Sequence, residues 1–249
     1  WTLREKTAKI ALRIFMKKLL GILVLGLLLS NSAFADKKFK DIKGFKKQNI
    51  SMSAKKVNRI CRVIVSTDSD EIAQVAKKYG AEVPFIRPSN LAQDDSSEWM
   101  AWRHALDYLD NSDSKKIDGL ISLPATAPLR SVLDVEKCID EYEKGDVDIV
   151  ITVTEAHRNP YFNMVKINKQ GYSSLVISGD ESYRRQDSPV VYDMTTVAYV
   201  ARPDFIQKCN GHFQGRVRSV MIPVERAIDI DTIIDFKIAE CLLSEQIGL

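Results

Sequence analysis

The run Arg226-Ala227-Ile228-Asp229-Ile230-Asp231 sets two carboxylates two residues apart among apolar neighbours. Read as the end of a strand running into a helix, it has side chains i and i+2 on one face, so Asp229 and Asp231 point one way and Ile228 and Ile230 the other. Carboxylates that close repel unless a cation lies between them, and such hard oxygen donors suit Mg²⁺ bridging to substrate phosphates. A plainer use is open to the same residues: Asp231 or Thr232 can cap the following helix, with Asp235 near its positive end. In Arg184-Arg185-Gln186-Asp187 two adjacent guanidinium groups suit a carboxylate or phosphate, or else pair on the surface with Glu181 and Asp187. Lys43-Gly44, in a lysine-rich stretch that reaches Asn49, reads as a phosphate-binding turn or as a solvated basic loop. His104, His157 and His212 lack metal-site spacing and read as surface or packing residues. Cys61, Cys138, Cys209 and Cys241 form no C-x-x-C pair and read as free thiols.

These residues need a frame, and the hydropathy pattern supplies one. Strands are predicted over 62–66, 83–86, 119–123, 148–154 and 216–224, and helices over 70–79, about 95–109, 132–142 and 232–246. Asp68 or Ser69 caps the first of these helices and Gly80 stops it. Trp99, Trp102, Ala105, Leu106 and Leu109 share one side of the second and read as core. Strands alternating with such helices argue for βαβ units and an α/β fold, a mainly parallel sheet flanked by helices. Ligands bind beyond the carboxyl ends of strands in such sheets. Ser66-Thr67-Asp68, the 124–130 loop and the Asp229/Asp231 pair all fall at such ends. From 160 to 195 shorter extended pieces (163–167, 173–177 and, just beyond, 195–201) suggest a small antiparallel excursion from the main sheet.

The 249 residues carry a net charge of +3, unevenly spread: residues 1–60 hold 15 Lys/Arg against 3 Asp/Glu, whereas 61–249 hold 21 against 30. The division expected is an atypical basic segment over 1–50 and an α/β domain over 51–249. The basic part lacks the interleaved aromatics of a nucleic-acid platform, so no nucleic-acid partner is expected. Within it, Met16-Lys17-Lys18, an apolar run over 19–29 and Ala33-Phe34-Ala35 form a signal-peptide-like pattern over 16–35, too short for a stable membrane span. A buried strand or helix explains the same apolar run, because periodicity alone does not assign it.

The stretch Val63-Ile64-Val65-Ser66-Thr67-Asp68-Ser69-Asp70-Glu71-Ile72, with Ala76 to Pro88, the loop Leu123 to Arg130, Arg184-Arg185-Gln186-Asp187 and Asp229-Ile230-Asp231-Thr232, resembles the acylneuraminate cytidylyltransferases in order and spacing. The resemblance spans about residues 55–247. It implies a nucleotide-diphosphosugar transferase type of fold, a cytoplasmic homodimer, and transfer from CTP to a keto-acid sugar with Mg²⁺ and release of pyrophosphate. By the same resemblance Asp229 and Asp231 are metal ligands and act with Lys43 in catalysis. Lys43, Gly44 and Asn49 end a phosphate-binding loop, Thr126 and Arg130 lie on the substrate rim, and Arg184, Arg185 and Gln186 contact the sugar. The sequence departs from the family pattern at Asp41-Ile42, where Gly-Ser is expected, at Gln48, where a lysine is usual, and at Pro124, where many relatives have glutamine. Two rival readings stay open: a non-catalytic remnant of the family without a working phosphate loop, and an exported sugar-binding protein.

Overall fold

The computed structural model describes residues 22–27, 54, 56–93, 95–112, 116–178 and 185–247. Lys43, Gly44, Asn49 and Arg184 lie outside the described residues, as does most of the signal-like stretch 16–35.

Period-two alternation of apolar residues gives the sheet two buried faces. Strand β2 (Arg62–Ser66) sends Val63 and Val65 to one face and Ile64 to the other. Strands β3 (Gly119–Ser122) and β4 (Ile149–Glu155) repeat the arrangement, with Ile121 and Val150 on the first face and Leu120, Ile149 and Ile151 on the second. Burial on both faces is why these strands read as nearly unbroken apolar runs. Helices α1 (Asp70–Lys78) and α3 (Val132–Glu143) cover the first face through Ile72, Ala76, Val135 and Ile139. Helices α2 (Glu98–Ser112) and α4 (Pro203–Lys208) cover the second through Trp99, Trp102, Leu106 and Phe205. Trp102 is fully buried, and a side chain of that size supports the fold by about 3 kcal/mol.

Among the described residues six strands form the main sheet in the order β2-β1-β3-β7-β4-β8, where β1 is Ile22–Leu27, β7 is Tyr192–Ala201 and β8 is Val217–Met221. Strand β1 pairs in parallel with β2 (Val24 opposite Val63) and with β3 (Val24 opposite Ile121), and β4 runs parallel to β8. Strand β7 is reversed, antiparallel to both β3 and β4. The apolar run weighed above as signal or buried strand thus contributes a central strand over 22–27. Strand β1 is therefore an interior strand of the sheet, paired on both sides.

Three expectations need correction. The 83–86 stretch is no strand: the bridge to β2 is made by Glu82, just before it, with Ile64, and Pro84, which has no N–H, cannot extend the ladder. The 195–201 stretch belongs to the main sheet as β7, where its small and β-branched residues fit a strand buried on both faces. What remains of the excursion is a separate hairpin, β5 (Val165–Ile167) with β6 (Ser173–Leu175). Strand β8 is shorter than 216–224 because Pro223 ends the pairing soon after Met221.

Local signals account for the ends of the helices. Ser69 caps α1 by accepting from the Ile72 N–H, and Gly80, at φ +78°, turns the chain away from it. A reciprocal capping box between Ser131 and Asp134 opens α3. Among the described residues no helix is long and apolar enough to cross a membrane.

Candidate active site

Strand β3 delivers the chain at Ser122 into the 124–130 loop, which ends where Ser131 caps α3. From the far edge of the sheet, β8 leads through Pro223 and the turn Val224–Arg226 into residues 227–232 and then helix α5 (Ile233–Ile247). Asp229 and Asp231 are therefore not on a strand end, as expected, but in an irregular connection. The physical reason is where its backbone hydrogen bonds go: the Ile230 N–H donates to the Thr126 carbonyl at 2.9 Å, not to a strand partner.

A second tie fixes the same connection. Arg226 grips Asp134 with two bonds, Nε to Oδ2 at 2.9 Å and Nη2 to Oδ1 at 3.0 Å. The Asp134 side chain is fully buried, and one of its oxygens also accepts from the Ser131 N–H. Burial alone would raise this carboxyl, but the Arg226 bonds and the Ser131 N–H and hydroxyl hold it below the usual carboxylate range. The helix that carries the end of the 124–130 loop is thus bolted to the segment that carries the aspartates.

Capping of α5 falls to Thr232, whose Oγ1 accepts from the Ile234 and Asp235 N–H groups and donates to Asp235 Oδ2 at 2.7 Å. This leaves the Asp229 and Asp231 carboxylates outside the cap. Burial raises the Asp231 carboxyl above its ordinary range, and the charges of Asp229 and Asp235 push it further up. Among the described residues Asp229 Oδ1 is buried with no hydrogen-bond partner.

Facing Asp229 is a buried set of polar groups. Arg130 is 7% exposed and donates one N–H to the Pro124 carbonyl across its own loop, while its Nε and Nη1 have no partner among the described residues. Burial lowers its pKa to about 10 against the pull of Asp229, Asp134 and Tyr199. Glu98, in the first turn of α2, accepts from the Ser122 hydroxyl at 2.9 Å. Its carboxyl is pushed up mainly by burial, opposed by the Ser122 bond and aided by the Asp229 charge.

The structure therefore brings together four of the residues named from the sequence: Thr126 through its carbonyl, Arg130, Asp229 and Asp231. Gln186 is exposed in the turn Arg185–Asp187 ahead of β7. Sequence reasoning missed Glu98, which looked only like an acidic first-turn residue, and Arg87. Arg87 is 1% exposed at the carboxyl end of β2, with Nη2 3.5 Å from Asp68 Oδ1 and its N–H on the Thr67 carbonyl. A charged residue directly before a proline, inside an apolar stretch, was the available signal. Of the other candidates, His212 packs edge-on against Trp99 and Trp102, and the buried Cys138 thiol is pushed up to about 12, which removes it as a nucleophile.

The pattern of the family described as Cytidylyltransferase matches residues 36–240. The chain is 34% identical over 196 residues to the post-translational flagellin modification protein B of Campylobacter coli, covering 78% of this chain and 82% of that one. It is 35% identical over 183 residues to the CMP-N,N'-diacetyllegionaminic acid synthase of Campylobacter jejuni, covering 73% and 77%. Among solved structures the fold is similar to that of a CMP:2-keto-3-deoxy-manno-octonic acid synthetase complexed with CTP, with a TM-score of 0.66 at 15% identity over 91% of this chain and 99% of that one. The mostly parallel α/β architecture expected from the sequence is borne out in that likeness. Since the matched range takes in the 124–130 loop, the Arg226–Asp134 clamp and the aspartate pair, the chain belongs to the cytidylyltransferase family.

Proposed function

We propose that this protein joins CTP to a keto-acid sugar of the acylneuraminate or related nonulosonate class, giving a CMP-sugar and pyrophosphate. The reading is carried by the Ile230 to Thr126 bond, which sets the aspartate pair against the 124–130 loop. The sugar's anomeric oxygen forms a bond to the α-phosphorus of CTP, the bond from that phosphorus to the bridging oxygen breaks, pyrophosphate leaves with that bond's electron pair, and the hydroxyl proton passes to solvent. Such transfers depend mainly on positioning and on charge stabilisation.

The acidic pair fits a divalent cation. Asp229 keeps a buried, unpartnered carboxylate oxygen, and the crowding that raises the Asp231 carboxyl is what a cation between them would relieve. Mg²⁺ commonly binds through one or two carboxylates, with substrate phosphate and water oxygens completing its shell. Bound there, Mg²⁺ would neutralise charge on the phosphates. Arg130 offers its free N–H groups from the loop, and Lys43, Gly44 and Asn49 are assigned to the nucleotide's phosphates. Arg184, Arg185 and Gln186 are assigned to the sugar, whose carboxylate suits guanidinium donors.

Assembly as a homodimer is supported by the excursion, where Val165, Ile167, Tyr172, Val190 and Tyr192 are all exposed. CTP as substrate fits a cytoplasmic reaction. The test is a pyrophosphate-release assay with CTP, Mg²⁺ and a panel of keto-acid sugars, beside calorimetric titration with CTP. Release with one class of sugar is expected; no release across the panel and no heat with CTP would overturn the reading in favour of a non-catalytic relative.

A further inference from the structure

We infer that Asn159 is a positioning residue for recognition of the acceptor sugar, tying the chain just after the Arg185–Asp187 turn to the segment that leaves β4 through one carboxamide N–H. The inference rests on the assignment above of Arg185 and Gln186 to the sugar.

The excursion leaves the sheet after β4 and returns into β7. Its mouth is closed by the Ala156 N–H on the Val191 carbonyl at 3.2 Å. One step further out sits Asn159, 8% exposed, with all its polar groups engaged. Its N–H donates to Asn163 Oδ1 at 2.7 Å, and its carbonyl accepts from the N–H groups of Phe162, Asn163 and Met164. Its Oδ1 accepts from the Tyr161 N–H at 2.9 Å, which turns the outgoing chain. The remaining group, Nδ2, crosses to the returning chain and donates to the Pro189 carbonyl at 2.8 Å.

That crossing bond matters because of what surrounds its acceptor. Pro189 has no N–H, so its carbonyl is the one backbone group by which it can be held. Gln186, Asp187, Pro189 and Val190 are exposed and Ser188 between them is buried, so polar contacts more than buried apolar surface hold this stretch in place. The Arg185–Asp187 turn lies directly ahead of Ser188 and Pro189. The Asn159 bond is a tie between the outgoing and returning segments beside the buried Ser188, and its loss lets the turn shift relative to the outgoing chain. The ties that position Asp229 and Asp231 run through Thr126 and Asp134 and do not involve Asn159.

The experiment is steady-state kinetics of Asn159→Asp in the full chain, with KM measured separately for CTP and for the sugar. Aspartate keeps the shape and the Oδ1 acceptor but sets an oxygen against the Pro189 carbonyl. Should that variant not fold, Asn159→Ser serves: its hydroxyl still accepts from the Tyr161 N–H in a similar turn but does not reach Pro189. Arg185→Ala and Gln186→Ala are measured alongside. The expected result is a sugar KM raised about tenfold with the CTP KM unchanged, the scale of one buried hydrogen bond lost. If Arg185→Ala and Gln186→Ala raise the sugar KM and the Asn159 variants do not, the inference fails while the site reading stands. If neither Arg185→Ala nor Gln186→Ala moves it, the assignment of the turn to the sugar fails and takes the inference with it. A parallel rise in both KM values marks a general structural role and also overturns the inference.

Discussion

Two regions that meet substrate in this reading are built in opposite ways. The aspartate connection and the 124–130 loop are held by a two-bond ion pair on a fully buried carboxylate, a backbone bond and a buried arginine. The excursion around β5 and β6 exposes its strand residues apart from the half-buried Leu175, and its two ends are tied to each other by a few hydrogen bonds, the Asn159 carboxamide among them. Groups that must stabilise charge at a reacting phosphorus benefit from a fixed, partly desolvated setting. Groups that select a sugar, or meet a second subunit, tolerate a looser mount.

The comparison breaks most sharply at the carboxylates. Asp229→Asn and Asp231→Asn should each lower kcat by about 100-fold to 1,000-fold, the scale seen when one group that stabilises transition-state charge is removed. Neither should lower stability, because α5 is capped by Thr232 and Asp235, and because neutralising Asp231 relieves the repulsion that raises its carboxyl. Pyrophosphate release and thermal unfolding measured on the same preparations decide this. Near-normal turnover in both variants would remove the pair from the chemistry.

Next comes the clamp. Arg226→Ala strands the buried Asp134 carboxylate and should destabilise the fold by about 3 kcal/mol in urea titration, with turnover falling too as the connection loosens. Arg226→Lys keeps the charge but not the two-pronged grip and should fall between. The pH dependence has a definite sign. Asp134 has its folded pKa depressed, so its contribution is present above the unfolded value of about 3.9 and is lost as pH falls through the lower folded value. Wild type should therefore lose stability in acid below about pH 4, and Asp134→Asn should lack that component.

Much of the frame is legible in the sequence because local chemistry sets it. Ser69 with Gly80, and Ser131 with Asp134, mark their helices before any packing is considered, and Trp99 with Trp102 falls on the buried side of α2 as its spacing requires. What stays hidden depends on partners distant in the chain. Nothing local distinguishes 22–27 as a strand from a signal-like run until β2 and β3 flank it. The reversed direction of β7 follows from its place between β3 and β4, which no periodicity records. The aspartate pair was visible by spacing, whereas its setting was not: the Asp134 clamp spans 92 residues, and Glu98 enters the site only because Ser122 ends β3 beside it.

The smallest effect on the fold belongs to the outer hairpin, and there the contrast between the two regions can be sharpened. Ile167 is 68% exposed and Tyr172 74% exposed, so neither contributes much to the core of its own chain. Ile167→Glu and Tyr172→Ala should shift unfolding free energy by no more than about 0.5 kcal/mol, as surface changes usually do. If this face joins two copies, the same changes should lower the sedimenting mass toward that of one 28.1 kDa chain, since a charge or a missing ring in an apolar interface removes its driving force. An unchanged mass would assign those exposed residues to another use and leave the looseness of the hairpin as a property of a single chain. A large loss of stability would instead mean that the excursion is as firmly packed as the aspartate connection, and the contrast between the regions would disappear.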